Sequence, residues 1–509
     1  MQISGDNVDL AFVVQVAKGE TKVELAAEAR KKMIASRTYI MNRVEKGEII
    51  YGVNTGFGAF SSVSISQPQI VQLQKNLIRS HCMGVGLPFT KEESRAILFL
   101  RANALSRGHS GIRPEVVDKL LEFLNNDIIP VIPQQGSVGA SGDLAPLSHL
   151  ALAIIGEGEA WDAEGKPAPV QKLLKAKNIE PLELQAKEGL SMINGCQVMT
   201  AIGLLHLERA RCLTWFSDLA GAMTLEAMQG SRKAFDPLIA ATRPHPGEAK
   251  TARNILKLMG TTSGIADGHA NCGRVQDAYS LRCMPAVHGA VKDAVGNSLR
   301  TLEIEANSST DNPLVFADDG KILSCGNFHG EPVAFAMDFV AIAMSAMGAI
   351  SECRIEKLIN PAMSGLPAFL APDGGLNSGH MIVQVAAASL VSENKILSHP
   401  ASVDSIPTSA DKEDHVSMGT IAARKFGQIV DNVENVIAME FLSATQALDL
   451  LKPLKPASTV LKAYDVIRSE VPFAKEDRVF AKDVDKIKTL MRNGLLMSAI
   501  TSTVGDLEW

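Results

Sequence analysis

The chain has 509 residues, 46% of them hydrophobic, and a net charge of −6. That length supports a large core and roughly two to four domains. The mild acidity, with no basic stripe and no aromatic residues interleaved with basic ones, argues against a nucleic-acid partner. Seven cysteines are scattered without a Cys-x-x-Cys pair, which points to reduced thiols in a cytoplasm and against a structural zinc site. The N-terminus carries no basic segment followed by an apolar one, so a secretory signal is not expected.

Helical periodicity opens the chain. Residues Leu10 to Lys46 place apolar side chains at three- and four-residue spacing among Lys, Glu and Arg. Glu48-Ile49-Ile50-Tyr51 has the composition of a short strand. It leads into Tyr51-Gly52-Val53-Asn54-Thr55-Gly56-Phe57-Gly58, a tyrosine before a glycine loop. Such a tyrosine serves either as a packing anchor or as a general base, and the second role requires its surroundings to lower a pKa of about 10. Ser80-His81 follows, and then two helices are predicted over Ser94–Arg107 and Pro114–Asn126.

The loop from Ile129 to Ser148 contains the most informative stretch, Gly139-Ala140-Ser141-Gly142-Asp143. In the plain reading, glycine and serine cap a helix that has Asp143 and Pro146 in its first turn. In the chemical reading, the amide nitrogen of Gly142 attacks the carbonyl of Ala140. Loss of water, and then of the Ser141 hydroxyl, leaves an imidazolone with an exocyclic methylidene. Only a residue without Cβ lets the backbone fold so tightly.

Beyond it, Gly156 to Pro169 reads as a small hairpin. Asn194-Gly195 is a turn pair ahead of a long helix over Gln197–Met228. A change from mixed helices and loops to long apolar helices places a domain boundary near residue 195, giving domains 1–195 and 196–509. The loop Thr261–Gly289 carries Gln276, Tyr279 and Arg282. The planar fork of Arg282 suits a substrate carboxylate, or an ordinary salt bridge at a helix start. Phe328 lies in Gly326-Asn327-Phe328-His329-Gly330. Helices are then predicted over Pro332–Lys357, Gly379–Leu397 and Val416–Leu451. The apolar run Val333–Ile350 is interrupted by Asp338 and rich in small residues, which fits a buried bundle helix and no membrane span. Long helices with few strand signals indicate a mainly α bundle.

Several of these stretches together resemble the aromatic amino acid ammonia-lyases and related aminomutases, over roughly residues 5 to 500. They are the Ala140-Ser141-Gly142 loop, the tyrosine-glycine loop, Met192-Ile193-Asn194-Gly195, Asn307 to Leu314 and Gly374 to Gly379. The resemblance implies a long-helix, aspartase/fumarase-like fold with a smaller N-terminal domain bearing the loop. It implies a methylidene-imidazolone made from Ala140, Ser141 and Gly142, with no metal and no diffusible cofactor. Tyr51 inherits removal of the β-proton, and Asn194 a hydrogen bond to the imidazolone oxygen or the substrate carboxylate. Gln276 and Tyr279 are implied near the electrophile, Arg282 on the carboxylate and Phe328 beside the substrate ring. A homotetramer with shared active sites is implied as well.

Two positions bear on the substrate. His81, in a Ser-His pair, and Glu413, in Ser409-Ala410-Asp411-Lys412-Glu413-Asp414-His415-Val416-Ser417-Met418, match the pattern of the histidine lyases within that family. A carboxylate accepts well from an imidazole N–H, whereas a benzene ring leaves it buried and unpaired at a cost of roughly several kcal/mol. L-histidine is therefore the expected substrate and trans-urocanate the expected product. A tyrosine or phenylalanine lyase, an aminomutase and a non-catalytic relative are the alternatives.

Overall fold

The structure is a computed structural model that describes residues 1–56, 58–60, 63, 65–268, 273 and 275–509. Phe57, Ser61 and Ser62 of the tyrosine-glycine loop, and Cys272 and Arg274 of the loop after residue 261, lie outside the described residues. The described chain is mainly α. Its longest helices are Gln197–Ala227, Met284–Ala306, Glu331–Ile359 and Gly419–Leu450. Strands are confined to small sheets of two or three. By contacts the chain divides into two compact units. One comprises Met1–Glu208, Ser298–Asp338 and Pro400–Lys425, and the other Arg209–Asn297, Phe339–His399 and Phe426–Trp509.

In the first unit, local sequence explains most helix ends. Thr90 and Glu93 form a reciprocal capping box that starts the helix Lys91–Ser106, and Pro114 opens Pro114–Asn125 at a position that needs no N–H. Phe12 on the helix Leu10–Ala17 packs against Phe99, with ring centroids 5.0 Å apart. The single helix expected over Leu10–Lys46 is two, Leu10–Ala17 and Ala27–Glu45. Gly19, at φ 76°, breaks the run, and Glu24–Leu25 pairs in parallel with Gln2–Ile3. The strand expected at Glu48–Tyr51 does not form: residues 48–50 are irregular and a turn begins at Tyr51. The Asn54 side chain accepts from the Ile50 N–H at 2.8 Å and donates to the Glu48 carbonyl at 2.8 Å, folding the segment back on itself. The predicted hairpin forms from Glu159–Trp161 and Pro167–Pro169, and Ile129–Pro130 adds a third strand.

The second unit is built on buried charge as well as apolar packing. Ile355, Ala387 and Val436 meet in one apolar cluster. Arg354 grips Glu440 with two bonds of 2.6 and 2.8 Å, while Asp218 takes His288 and Lys292 at 2.8 and 2.6 Å. Every one of these side chains is buried, and each is paired, as low-dielectric burial demands. The helix Glu331–Ile359 is long and apolar enough to cross a membrane by length and composition, yet 56% of its apolar window is buried. Asp338 within it is buried and accepts from the Ser402 N–H at 2.8 Å.

Candidate active site

The Ala-Ser-Gly stretch is a compressed turn ahead of the helix Leu144–Ile154. The Gly142 N–H donates to the Gly139 carbonyl at 3.0 Å. Ser141 sits at φ 49° and Gly142 at φ 80°, the left-handed region that non-glycine residues rarely enter. The turn is clamped to Gly195 from both sides. Asp143 N–H donates to the Gly195 carbonyl at 2.8 Å, and Gly195 N–H donates to the Ser141 carbonyl at 3.2 Å. A Cβ on Gly142 would stand 2.2 Å from the Gly195 oxygen, so glycine alone fits there. Ser137 takes the Gly139 N–H at 3.1 Å and donates to the Gly142 carbonyl at 3.2 Å. This geometry suits ring closure between residues 140 and 142: the chain is already bent, and no side chain at 142 obstructs it.

Asp143 does not cap the helix that follows it. Its buried carboxylate accepts from the Val198 and Met199 N–H groups at 2.8 and 3.1 Å, at the start of Gln197–Ala227, and from the Thr420 hydroxyl at 2.5 Å. Burial pushes its pKa up to about 6 in spite of those donors.

Ser141 lines a cavity of 760 Å³ together with Tyr51, His81 and Glu413, walled by apolar residues such as Leu73, Leu77, Leu190 and Ile193. His81 ends the helix Ile70–His81, and its Nδ1 lies 2.8 Å from the Leu77 carbonyl. A carbonyl only accepts, so Nδ1 carries the proton and Nε2 is left for a ligand. Glu413 pairs with Thr408 through backbone bonds of 2.9 and 3.3 Å, and one of its carboxylate oxygens accepts from the Thr408 hydroxyl at 2.9 Å. Between them Ser409, Ala410 and Asp411 all have positive φ, a left-handed run that bends the chain over the cavity. The Tyr51 hydroxyl accepts from the Gly58 N–H at 3.5 Å. Its pKa is raised, first by burial and then by the negative charges of Glu413 and Asp311. The lowering that a general-base role requires is not met in the unliganded chain, first because the hydroxyl is buried and then because the nearby charges are carboxylates.

Asn194 is buried, and its amide nitrogen donates to Asp311 Oδ1 at 3.1 Å and to the Asn312 carbonyl at 3.4 Å. Asp311 is itself held by Lys187 at 2.7 Å and by Ser191 at 2.8 Å. Phe328 is half-buried, and its carbonyl accepts from the Cys196 thiol at 3.0 Å. Its ring is not among the cavity's lining residues. Gln276, Tyr279 and Arg282 belong to the second unit and do not line that cavity. Tyr279 is 70% exposed, the Arg282 guanidinium stacks 4.6 Å from its ring, and Arg282 Nε donates to the Asp277 carbonyl at 3.1 Å.

A family model described as aromatic amino acid lyase matches residues 8–469. The chain belongs to the aromatic amino acid lyase family. It is 50% identical over 501 residues to a histidine ammonia-lyase of Myxococcus xanthus, covering 98% of each chain. Among solved structures it is similar to a histidine ammonia-lyase from Trypanosoma cruzi, at 42% identity and TM-score 0.92, covering 99% of this chain and 95% of that one. It is also similar to a tyrosine aminomutase from Streptomyces globisporus, at 37% identity and TM-score 0.94, covering 100% of both.

In this lyase-family chain, sequence reasoning missed the residues beneath the site. Arg101 is wholly buried, donates to Gln197 and to the Ser191 carbonyl, and is lowered to about 10 by desolvation. Lys187 and Asp311 form a buried ion pair under Asn194. Asp311 lay inside a motif quoted for its resemblance, but no local pattern announces a buried lysine. The partner is 124 residues away in sequence.

Proposed function

We propose that this chain eliminates ammonia from L-histidine to give trans-urocanate, using a methylidene-imidazolone formed from Ala140, Ser141 and Gly142. The observation that carries the reading is the single cavity shared by Tyr51, His81, Ser141 and Glu413. When formed, the prosthetic group supplies an electron-poor methylidene, a reactivity absent from ordinary side chains. The remaining work falls to the chain's own residues. Glu413 accepts from one ring N–H of the substrate, and His81, with Nε2 bare, accepts from the other. Held between a carboxylate and a lone pair, the ring is favoured as an imidazolium. That cation offsets the charge of Glu413 and eases Tyr51 toward its phenolate, which removes a β-proton as the Cα–N bond breaks.

Arg282 holds the α-carboxylate, Asn194 bonds the imidazolone oxygen or that carboxylate, and Phe328 packs beside the ring. Gln276 and Tyr279 stand near the electrophile. We take Gln276, Tyr279 and Arg282 to reach the cavity from a neighbouring subunit of a homotetramer. Exposed Phe335, Phe339 and Ile342 on one helix support such an assembly. The N-terminal portion, residues 1–195, carries the electrophile loop and the long-helix portion, 196–509, the scaffold. Six free cysteines among the described residues fit a cytoplasmic setting. Incubation with L-histidine, L-tyrosine and L-phenylalanine, followed by ultraviolet absorbance, tests the reading. Urocanate and ammonia from L-histidine are expected. Product from tyrosine or phenylalanine alone would overturn the assignment, and no product from any would favour a non-catalytic relative.

A further inference from the structure

A second cluster of donor atoms lies outside the cavity lining, in the first unit. His329 and Glu331 flank Gly330, and His415 follows Glu413 by two residues. A ring nitrogen of each histidine and a carboxylate oxygen of Glu331 all fall within 4.8 Å of one another. The protonation pattern is set by geometry. His329 Nε2 lies 3.2 Å from the His415 carbonyl, so Nε2 carries a hydrogen and, in the neutral ring, Nδ1 keeps its lone pair. That lone pair faces Glu331 Oε2 at 3.7 Å. The same carboxylate oxygen is buried and has no hydrogen-bond partner among the described residues. When Nδ1 is unprotonated, two electron pairs face each other there, and either a proton or a metal cation between them satisfies both.

We propose that His329, Glu331 and His415 bind a divalent transition-metal ion of the zinc class, distinct from the reacting centre. Two imidazoles and one carboxylate match the preference of such ions, and metal–ligand bonds of about 2.0–2.2 Å place tetrahedral ligands about 3.4 Å apart. The His329–Glu331 pair is already near that spacing. His415 is exposed and stacked on His329 at 5.6 Å between centroids, so a rotation of its side chain closes the set. Side chains pack closely on Gly330: a Cβ there would lie 2.3 Å from the Met199 sulfur and 3.3 Å from the Ser417 hydroxyl. Occupation therefore ties the segment after Phe328 to the segment after Glu413. The cysteines take no part.

The test is calorimetric titration of the untagged, chelator-stripped full chain with Zn²⁺, paired with visible spectra on Co²⁺ addition. One ion per chain is expected, with d–d bands typical of low coordination number. His415→Ala, at an exposed position, and Glu331→Gln should each weaken binding at least about tenfold while leaving the far-ultraviolet circular dichroism unchanged. Absence of binding by the parent chain, or parental affinity retained in either variant, would overturn the proposal.

Discussion

Replacing Glu413 by glutamine separates the charge of that residue from its shape. One carboxylate oxygen is committed to the Thr408 hydroxyl at 2.9 Å, leaving the other for the substrate ring. An amide has a single acceptor oxygen, so to offer it to the ring the side chain must turn its NH2 on the Thr408 hydroxyl and reverse that bond. The charge-assisted contact is lost as well. Together these amount to about 2 to 3 kcal/mol, or about a 30- to 150-fold fall in kcat/KM for L-histidine. Because the ring is held in both the ground and transition states, much of the loss should fall on KM. A second effect runs through Tyr51, whose pKa is raised by burial and, next, by Glu413. Removing that charge lowers the Tyr51 pKa, and the ascending limb of the kcat/KM profile moves to lower pH. Initial rates of urocanate formation across pH read both quantities. Values within about twofold of the parent chain, with the limb unmoved, would refute the placement of Glu413 against the ring.

Further expectations concern the scaffold. Asp311→Asn leaves Lys187 buried beside a neutral partner, which should cost about 3–5 kcal/mol and appear as a large fall in Tm; an unchanged Tm would contradict the pairing. His380 is buried beside Ser443 and Phe480, and burial followed by Arg468 and Arg478 holds its pKa down to about 3. The native chain stays unprotonated there while the unfolded chain takes up a proton below about 6.5. Its contribution is therefore complete above pH 6.5 and is lost as pH falls toward 3. In denaturant unfolding at pH 7 and pH 5, the parent chain should lose more stability than His380→Phe, and identical losses would sink the assignment.

Much of the fold was legible because helices announce themselves locally. The predicted Ser94–Arg107 is Lys91–Ser106, and Gln197–Met228 is Gln197–Ala227. The failures came where one residue outweighed periodicity: Gly19 split a helix, and the Asn54 side chain turned a β-rich segment back. Tyr51, His81, Ser141 and Glu413 could be singled out because each sits in a motif of its own. Their common cavity could not be read from spacing, nor could the rise of Tyr51, since burial in the fold comes first among its causes and the next charge raising it, Glu413, lies more than 350 residues away. Asp143 shows the same limit. Next to its own helix in sequence, it spends its carboxylate on another.

The intact mass of the native chain bears most directly on the chemistry proposed for Ala140, Ser141 and Gly142. A chain lighter than its sequence by two waters, with Ser141→Ala at full mass and without turnover, is the outcome this account requires. A native chain at its full sequence mass that still releases ammonia from L-histidine would contradict it.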